Sequence, residues 1–440
     1  MMGYRPWLVG TPLQGSLERM DRPRGPTGAL RRRALYVGAT PEHPVNFDPT
    51  ESERMVADAV RTALASTTEH HARWRRMVHV DKEFPADLWQ LLCDQGVMGC
   101  VIPEAYGGNG LGLVAASLAI EEMAALGFGN AFVVLGTMDA TAILNAGSED
   151  LKQRVLPGIA NGAIKCCFAI TEPDAGSNAF RMSTTAKRDG TGWRLNGQKA
   201  FITGADVADK MLVVCRTTTR QDIEAKGLPK AFGLALFFID TKSPGISLTP
   251  IPTHGIEGMT QSMVYFDDVY VDGGDIVGEP DMGSMVMFTS LNPERITAAA
   301  IACGMARYAL QRSVEYANTR KLFRNTPIGA YQGVAHPLAR ARVWLEACQL
   351  LVRRAAWAFD VKKDPREVGS YANHAKYESS RMVMEAVDRA IQTHGGYGFS
   401  EEYGIIWLFE SARLLQTAPI NNELILSYVA EHDMGLPRSY

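Results

Sequence analysis

No apolar run in the 440 residues approaches the roughly 18 needed for a helix to cross a bilayer. The longest, AFGLALFFI from Ala231 to Ile239, has the length of a buried strand. Charge of one sign is missing too. A net charge of −3 with 21% charged residues provides neither a basic field for nucleic acid nor a polybasic anchor for a membrane surface. The seven cysteines form no C-x-x-C pair, and Cys166 and Cys167 are adjacent. An odd, unspaced set favours reduced thiols in a cytosol-like compartment over a disulfide framework. Nine histidines show no H-x-x-x-H spacing, so no metal site is expected. A dinucleotide fingerprint is absent as well. YGGNGLGL (Tyr106 to Leu113) is one residue out of register for G-x-G-x-x-G and follows a helical pattern, and HGGYGFSEE at Gly395 also fails.

What is present is an ordinary globular balance, 46% hydrophobic, long enough for two or three domains. Residues 1–48 stand apart: three consecutive arginines (Arg31 to Arg33), several prolines and glycines, and few acids. They read as a disordered leader, with an organelle-targeting segment as the alternative, which would move the protein from the cytoplasm to a mitochondrial matrix. From 49 to 162 the pattern is helical, with ADLWQLLCDQGVMG and AASLAIEEMAALG spacing apolar residues three or four apart. GSEDLKQRVLPGIANG adds a helix with a serine cap and an end near Pro157 and Gly158. From 163 to 280 short β-rich runs alternate with turn residues, among them Asp189-Gly190 and Asn196-Gly197. TTTRQDIEAKGLPK reads there as an exposed loop. From 281 to 440 long helical patterns return. The order predicts an α+β fold: an N-terminal helical domain, a barrel-like antiparallel β domain and a C-terminal helical domain.

One stretch of the last region, LNPERITAAAIACG from Leu291, looks like a helix start, with Asn292 as cap and Pro293 in first position. Glu294 then has two readings. As a first-turn acid it complements the helix dipole and does no chemistry. Yet Ala298, Ile301, Ala302 and Met305 continue its own face as an apolar stripe, and acids are seldom buried unless paired or functional.

Five segments occur in order: VIPEAYGGNG (Val101 to Gly110), FAITEPDAGSN (Phe168 to Asn178), NGQKAFITGA (Asn196 to Ala205), YANTRKLFRNTPIGAYQ (Tyr316 to Gln332) and QTHGGYGFSEEY (Gln392 to Tyr403). Together they resemble the acyl-CoA dehydrogenase family of flavoenzymes over about residues 50 to 440. The resemblance implies a four-helix bundle as the C-terminal domain, FAD as cofactor, an acyl-CoA substrate, an electron-transfer flavoprotein as acceptor and a homodimer or homotetramer. It also implies that Phe168, Ile170, Thr171, Phe201 and Thr203 lie at the flavin ring. Gly176 and Ser177 would approach cofactor or thioester, with Ser177, Asn292 and Arg295 touching substrate. Arg320, Phe323 and Gln332, with Gly395 and Gly396, would hold the diphosphate and adenosine of a neighbouring subunit's FAD. An arginine fork suits a diphosphate, and donors suit a flavin where charge gathers on reduction. Three positions depart from the family pattern: Phe201 where Trp is usual, Asn178 where Asp is usual, and Arg324 where Gly follows Phe323.

Family chemistry removes the α proton of an acyl thioester with a carboxylate, in many members a Glu shortly after the Gly-Gly segment. Matching Asn421-Asn422-Glu423-Leu424 to that segment puts Pro419, which has no base, at this position, and Glu423 matches a non-catalytic Glu. Isovaleryl- and long-chain-type members carry the base within L-x-x-E-R, and Leu291 to Arg295 matches it. The expectation is therefore α,β-dehydrogenation to a 2,3-enoyl-CoA with Glu294 as base. A catalytically silent FAD-binding partner subunit and an oxygen-using relative are the alternatives.

Overall fold

The computed structural model describes residues 48–438. The leader reading for residues 1–48 thus lies, but for Asp48, outside the described residues.

Helices come first: α1 (Glu51–Ala65), α2 (Thr68–Arg76), α3 (Ala86–Asp94), α4 (Gly112–Ala125), α5 (Ala131–Ala146) and α6 (Glu149–Ala160). Their starts are written locally. Thr50 and Glu53 form a capping box on α1, Asn130 caps α5, and Ser148 caps α6 by accepting from Leu151 N–H. Helix α6 runs through Pro157 and ends at Ala160. Helices α4 and α5 are buried on nearly every side, which makes them the centre of the structure and not a surface layer.

The β region contains β1 (Cys166–Ala169), β2 (Thr185–Asp189), β3 (Gly192–Thr203), β4 (Lys210–Arg216), β5 (Leu234–Asp240), β6 (Ile246–Ile251), β7 (Gln261–Val271) and β8 (Ile276–Val277). They form an open sheet in the order β6-β7-β3-β2-β4-β5-β8, with β1 alongside β4. Two features differ from an antiparallel barrel. The sheet does not close among the described residues, and β1 runs parallel to β4, as does β2 at the single pair Thr185 and Arg216. A parallel pair needs a long crossover, and the β2–β3 hairpin supplies it between β1 and β4. Asp189-Gly190 makes that hairpin turn, but Asn196-Gly197 makes none: both sit inside β3 at a register shift against β7. Gly197 has φ +141°, and a Cβ there would press on Thr184 at 2.7 Å, so a bulge, not a turn, required the glycine. The expected loop after β4 contains helix α7 (Arg220–Ala225), started by Thr219, whose hydroxyl accepts from Asp222 N–H at 3.1 Å.

The chain then returns to helices: α8 (Gly283–Thr319), α9 (Gln332–Asp360) and α10 (Pro365–His394), with the short α11 (Trp407–Leu414) and α12 (Asn422–Tyr428). The three long helices pack on one another, α8 and α9 also pack on α4, and the two short helices lie against α10. Two miniature strands, β9 (Lys321–Leu322) and β10 (Thr326–Pro327), follow α8.

The helix start expected at Asn292 is corrected here. Helix α8 begins nine residues earlier, at Gly283, and Pro293 lies in its interior. A proline there removes one ladder bond, leaving the Thr289 carbonyl without its helical donor. The surrounding turns are stitched by hydroxyls: Thr289 and Ser290 donate back to Val286 O, and Thr297 donates to Pro293 O at 2.8 Å. Glu294 is thus an interior residue, and the dipole argument for a first-turn acid does not apply to it.

Candidate active site

Strands β1 and β3 end side by side, because Ala200 N–H donates to Thr171 O at 2.8 Å. Behind them a buried ion pair ties the corner together. Lys199 Nζ donates to Glu172 Oε1 at 2.9 Å and to Ile170 O at 3.0 Å, while Glu172 also accepts from Ser183 N–H and Thr184 N–H. Burial alone would raise the Glu172 pKa, but Lys199 and these donors hold it down to about 2. This corner sets Phe168, Ile170 and Thr171 on one edge, with Phe201 and Thr203 on the other.

Phe201 is 58% exposed at φ +57°, an unusual backbone state for a bulky residue, and sits at a second register shift of β3. Such strain collects where a side chain must be aimed. Thr203 Oγ1 accepts from Gln261 Nε2 at 2.9 Å, which leaves its own proton free to donate. Gly176 and Ser177 lie on the exposed loop after β1, and a Cβ on Gly176 would meet nothing within 4 Å. Ser177 Oγ accepts from Asn421 Nδ2 at 2.9 Å, which docks this loop on the segment that follows Pro419.

The remaining cofactor candidates gather at the far end of α8. Arg320 caps its C-terminus, the exposed Phe323 follows, and Gln332 opens α9. Gly395 and Gly396 end α10 nearby, where His394 stacks on Tyr316 of α8 at 4.4 Å. Neither glycine has an atom within 4 Å of an added Cβ. The residues therefore form two groups, one at the β1–β3 corner and one at the C-terminal end of α8. Each group suits its half of FAD: an exposed aromatic wall with a hydroxyl donor for the ring, and an exposed arginine with a bare glycine surface for the diphosphate.

Glu294 lies within α8, eleven residues after its start at Gly283. It is 7% exposed, and among the described residues no hydrogen bond or ion pair reaches its carboxylate. Burial pushes its pKa up to about 7, against the opposing charges of Arg295 and Lys376. Lys376 on α10 is buried and donates to Ile420 O and to Asn422 Oδ1, so Glu294 and the residues beside Pro419 share one cation. Pro419 is exposed and offers no side-chain base. The two positions at which the family resemblance allows a carboxylate thus meet at Lys376, and only Glu294 fills one.

Asn292 and Arg295, expected to touch substrate, lie at the contact of α8 with α10. Arg295 donates to Asn292 Oδ1 at 2.7 Å, to Asn373 Oδ1 at 2.5 Å and to Leu291 O at 3.0 Å. Asn292 is buried and its amide donates to Pro365 O at 3.4 Å. Both side chains clamp α8 to α10 through these bonds. Sequence reasoning missed Asp139 on α5, which is fully buried and close enough for the Glu294 charge to act on it. A lone acid in the apolar run LGTMDATAIL was the available signal.

Comparison with known proteins agrees along the chain. Models of the acyl-CoA dehydrogenase N-terminal, middle and C-terminal domains match residues 50–163, 167–269 and 281–432. The chain is 42% identical over 387 residues to acyl-CoA dehydrogenase FadE12 of Mycobacterium tuberculosis, covering 87% of this chain and 97% of that protein. It resembles the glutaryl-coenzyme A dehydrogenase in complex with glutaryl-CoA with a TM-score of 0.80 at 29% identity, over 90% of this chain and 98% of the other. A glutaryl-CoA dehydrogenase from Mycobacterium smegmatis in complex with FADH2 superposes with a TM-score of 0.78 at 26% identity, over 89% and 96% of the two chains. With three domain models in order and a relative matched over nearly its full length, this chain belongs to the acyl-CoA dehydrogenase family.

Proposed function

We propose that this chain is an FAD-dependent dehydrogenase of acyl-CoA thioesters in which Glu294 takes the α proton. The observation that carries the assignment is a buried carboxylate with no hydrogen-bond partner, acted on by the same Lys376 that holds the segment after Pro419. A general base works best with a pKa near the working pH, and burial has brought Glu294 there. Arg295 and Lys376 favour its ionised form and keep it from being neutral altogether. FAD, when bound, supplies the two-electron acceptor for the β hydrogen, and the product is a 2,3-enoyl-CoA. Phe201 and Phe168 give the ring flat apolar cover with Ile170, and Thr171 and Thr203 give it hydrogen bonds. Ser177 and Gly176 border the thioester. Arg320, Phe323, Gln332, Gly395 and Gly396 serve the diphosphate and adenosine of a neighbouring subunit's FAD, which makes the working form a homodimer or homotetramer. An electron-transfer flavoprotein is the acceptor. The compartment is the cytoplasm, in keeping with cysteines that are all free and buried. No helix among the described residues is long and apolar enough to cross a membrane.

Anaerobic addition of saturated acyl-CoAs to the flavin-loaded protein tests this reading. Bleaching of the flavin absorbance by at least one straight-chain, branched or dicarboxylic thioester is expected. Bleaching by none would make the isolated chain a silent partner subunit.

A further inference from the structure

Among the described residues, Asp139 is the carboxyl group buried with both oxygens lacking a hydrogen-bond partner. It sits in the middle of α5 with no exposed surface, and α5 packs along α8. The rest of α5 shows how polar side chains are normally accommodated there. Thr137 donates to Val133 O at 2.6 Å and Thr141 to Thr137 O at 2.8 Å, so both hydroxyls are satisfied within the helix. Asp139 has nothing of the kind. Its helix-face neighbours are Leu135, Ala142 and Ile143, beside which a leucine or methionine would pack without polar cost.

Buried polar groups are partnered in more than about 90% of cases, so an exception calls for a reason. No cation acts on Asp139; burial and the charge of Glu294 hold its pKa well above the usual carboxylate range. Both effects favour its protonated form, which has one O–H to donate and one carbonyl oxygen to accept. The buried thiols of Cys166 and Cys167, whose pKa values it helps to raise, are weak hydrogen-bonding groups. The unpartnered group near it is Glu294 itself. Two acids without hydrogen-bond partners therefore lie on the packed helices α5 and α8, and one of them, on the reading given above, takes the α proton of the acyl chain.

We propose that Asp139 is a specificity-determining residue that selects an acyl chain carrying a hydroxyl or keto oxygen. That oxygen supplies the partner which the fold withholds. The proposal rests on the assignment of Glu294 as the base. Asp139 is on the helix packed against that of the base, so the oxygen belongs beyond the β carbon, toward the end of a short acyl chain. A site built to hydrogen-bond an oxygen rejects the analogue lacking it far more strongly than an apolar pocket rejects an added hydroxyl.

The test uses the flavin-loaded protein with three thioesters of one length: hexanoyl-CoA and its ω−1 hydroxy and ω−1 keto analogues. The oxygenated thioesters should exceed hexanoyl-CoA in kcat/KM by about tenfold or more. D139L should reverse that order, and D139N, which keeps a donor and an acceptor, should preserve it. A wild type that favours hexanoyl-CoA, or a ratio that D139L leaves within about twofold of wild type, overturns the proposal. Should D139L fail to fold, the wild-type ratio decides alone. E294Q separates the two assignments. If it abolishes turnover of all three while D139L leaves the ratio unmoved, only the role of Asp139 is wrong. If E294Q turns over all three normally, the base assignment falls and the role of Asp139 falls with it.

Discussion

Glu172 and Glu294 are both buried glutamates, and the fold treats them in opposite ways. Glu172 accepts from a lysine, a hydroxyl and two backbone N–H groups, and its pKa falls to about 2. Glu294 receives no hydrogen bond among the described residues, and its pKa rises to about 7. Both are nearly without exposed surface, but Glu294 sits deeper and lacks partners, and the two effects together separate their pKa values. A buried acid with every lone pair occupied acts as a strut, here holding the β1–β3 corner. One left without partners is kept for something that arrives.

The widest gap between the two acids should appear in turnover. E294Q keeps the shape of the side chain and removes its basicity, so acyl-CoA turnover should fall by about 10² to 10⁴ while the purified protein keeps its flavin absorbance. Loss of less than about tenfold would put the two glutamates in one class. The strut should show its effect in stability instead. E172Q leaves the Lys199 ammonium buried without its counter-ion, and a loss of about 3–5 kcal/mol in urea unfolding is expected. The stability from Glu172 is present above its unfolded pKa of about 4.5 and is lost as pH falls toward 2.

The pH dependence of Glu294 runs the other way. Its folded pKa lies above its unfolded one, so its contribution is fully present below about 4.5 and is lost as pH rises through 7. E294Q should therefore unfold at higher urea than wild type at pH 8, by about 3 kcal/mol, with the gap closing by pH 5. An equal gap at both values would show that the carboxylate is not held near neutrality. The smallest effect belongs to the rate profile. The kcat/KM of wild type should rise through about pH 7 to a plateau, and K376M should move that limb to higher pH by removing a charge that favours the carboxylate.

Much of this was legible along the chain, for reasons tied to particular residues. The capped helices and the apolar run of β5 announced themselves, because their signals are local: Ser148 before α6, or Leu234 to Ile239 in β5. Strands β2 and β6 carry exposed polar positions and short apolar content, so their pairing with β3 and β7 comes from register that no window can contain. Asn196-Gly197 and Asn292-Pro293 failed for a common reason. Both pairs carry strong local preferences, for a turn and for a helix start, which the packing of β7 and of α4 and α5 overrode. The base candidate at Glu294 was readable from L-x-x-E-R, but the inward commitment of Asn292 and Arg295 depends on Asn373 and Pro365, more than seventy residues away. Asp139 depends on a contact between two helices and has no motif of its own.

Helix α8 is also a ruler. From Glu294 to Arg320 it advances 1.5 Å per residue, roughly 39 Å in all, farther than a single dinucleotide reaches when stretched out. With the roles proposed here, the two ends of this one rod serve two different flavins. Each reaction centre is then a composite, with its proton-taking end from one chain and its diphosphate grip from the next. A mixed dimer of an E294Q chain and an R320A chain would hold one centre with both defects and one with neither, so half of the activity would return from two inactive parents.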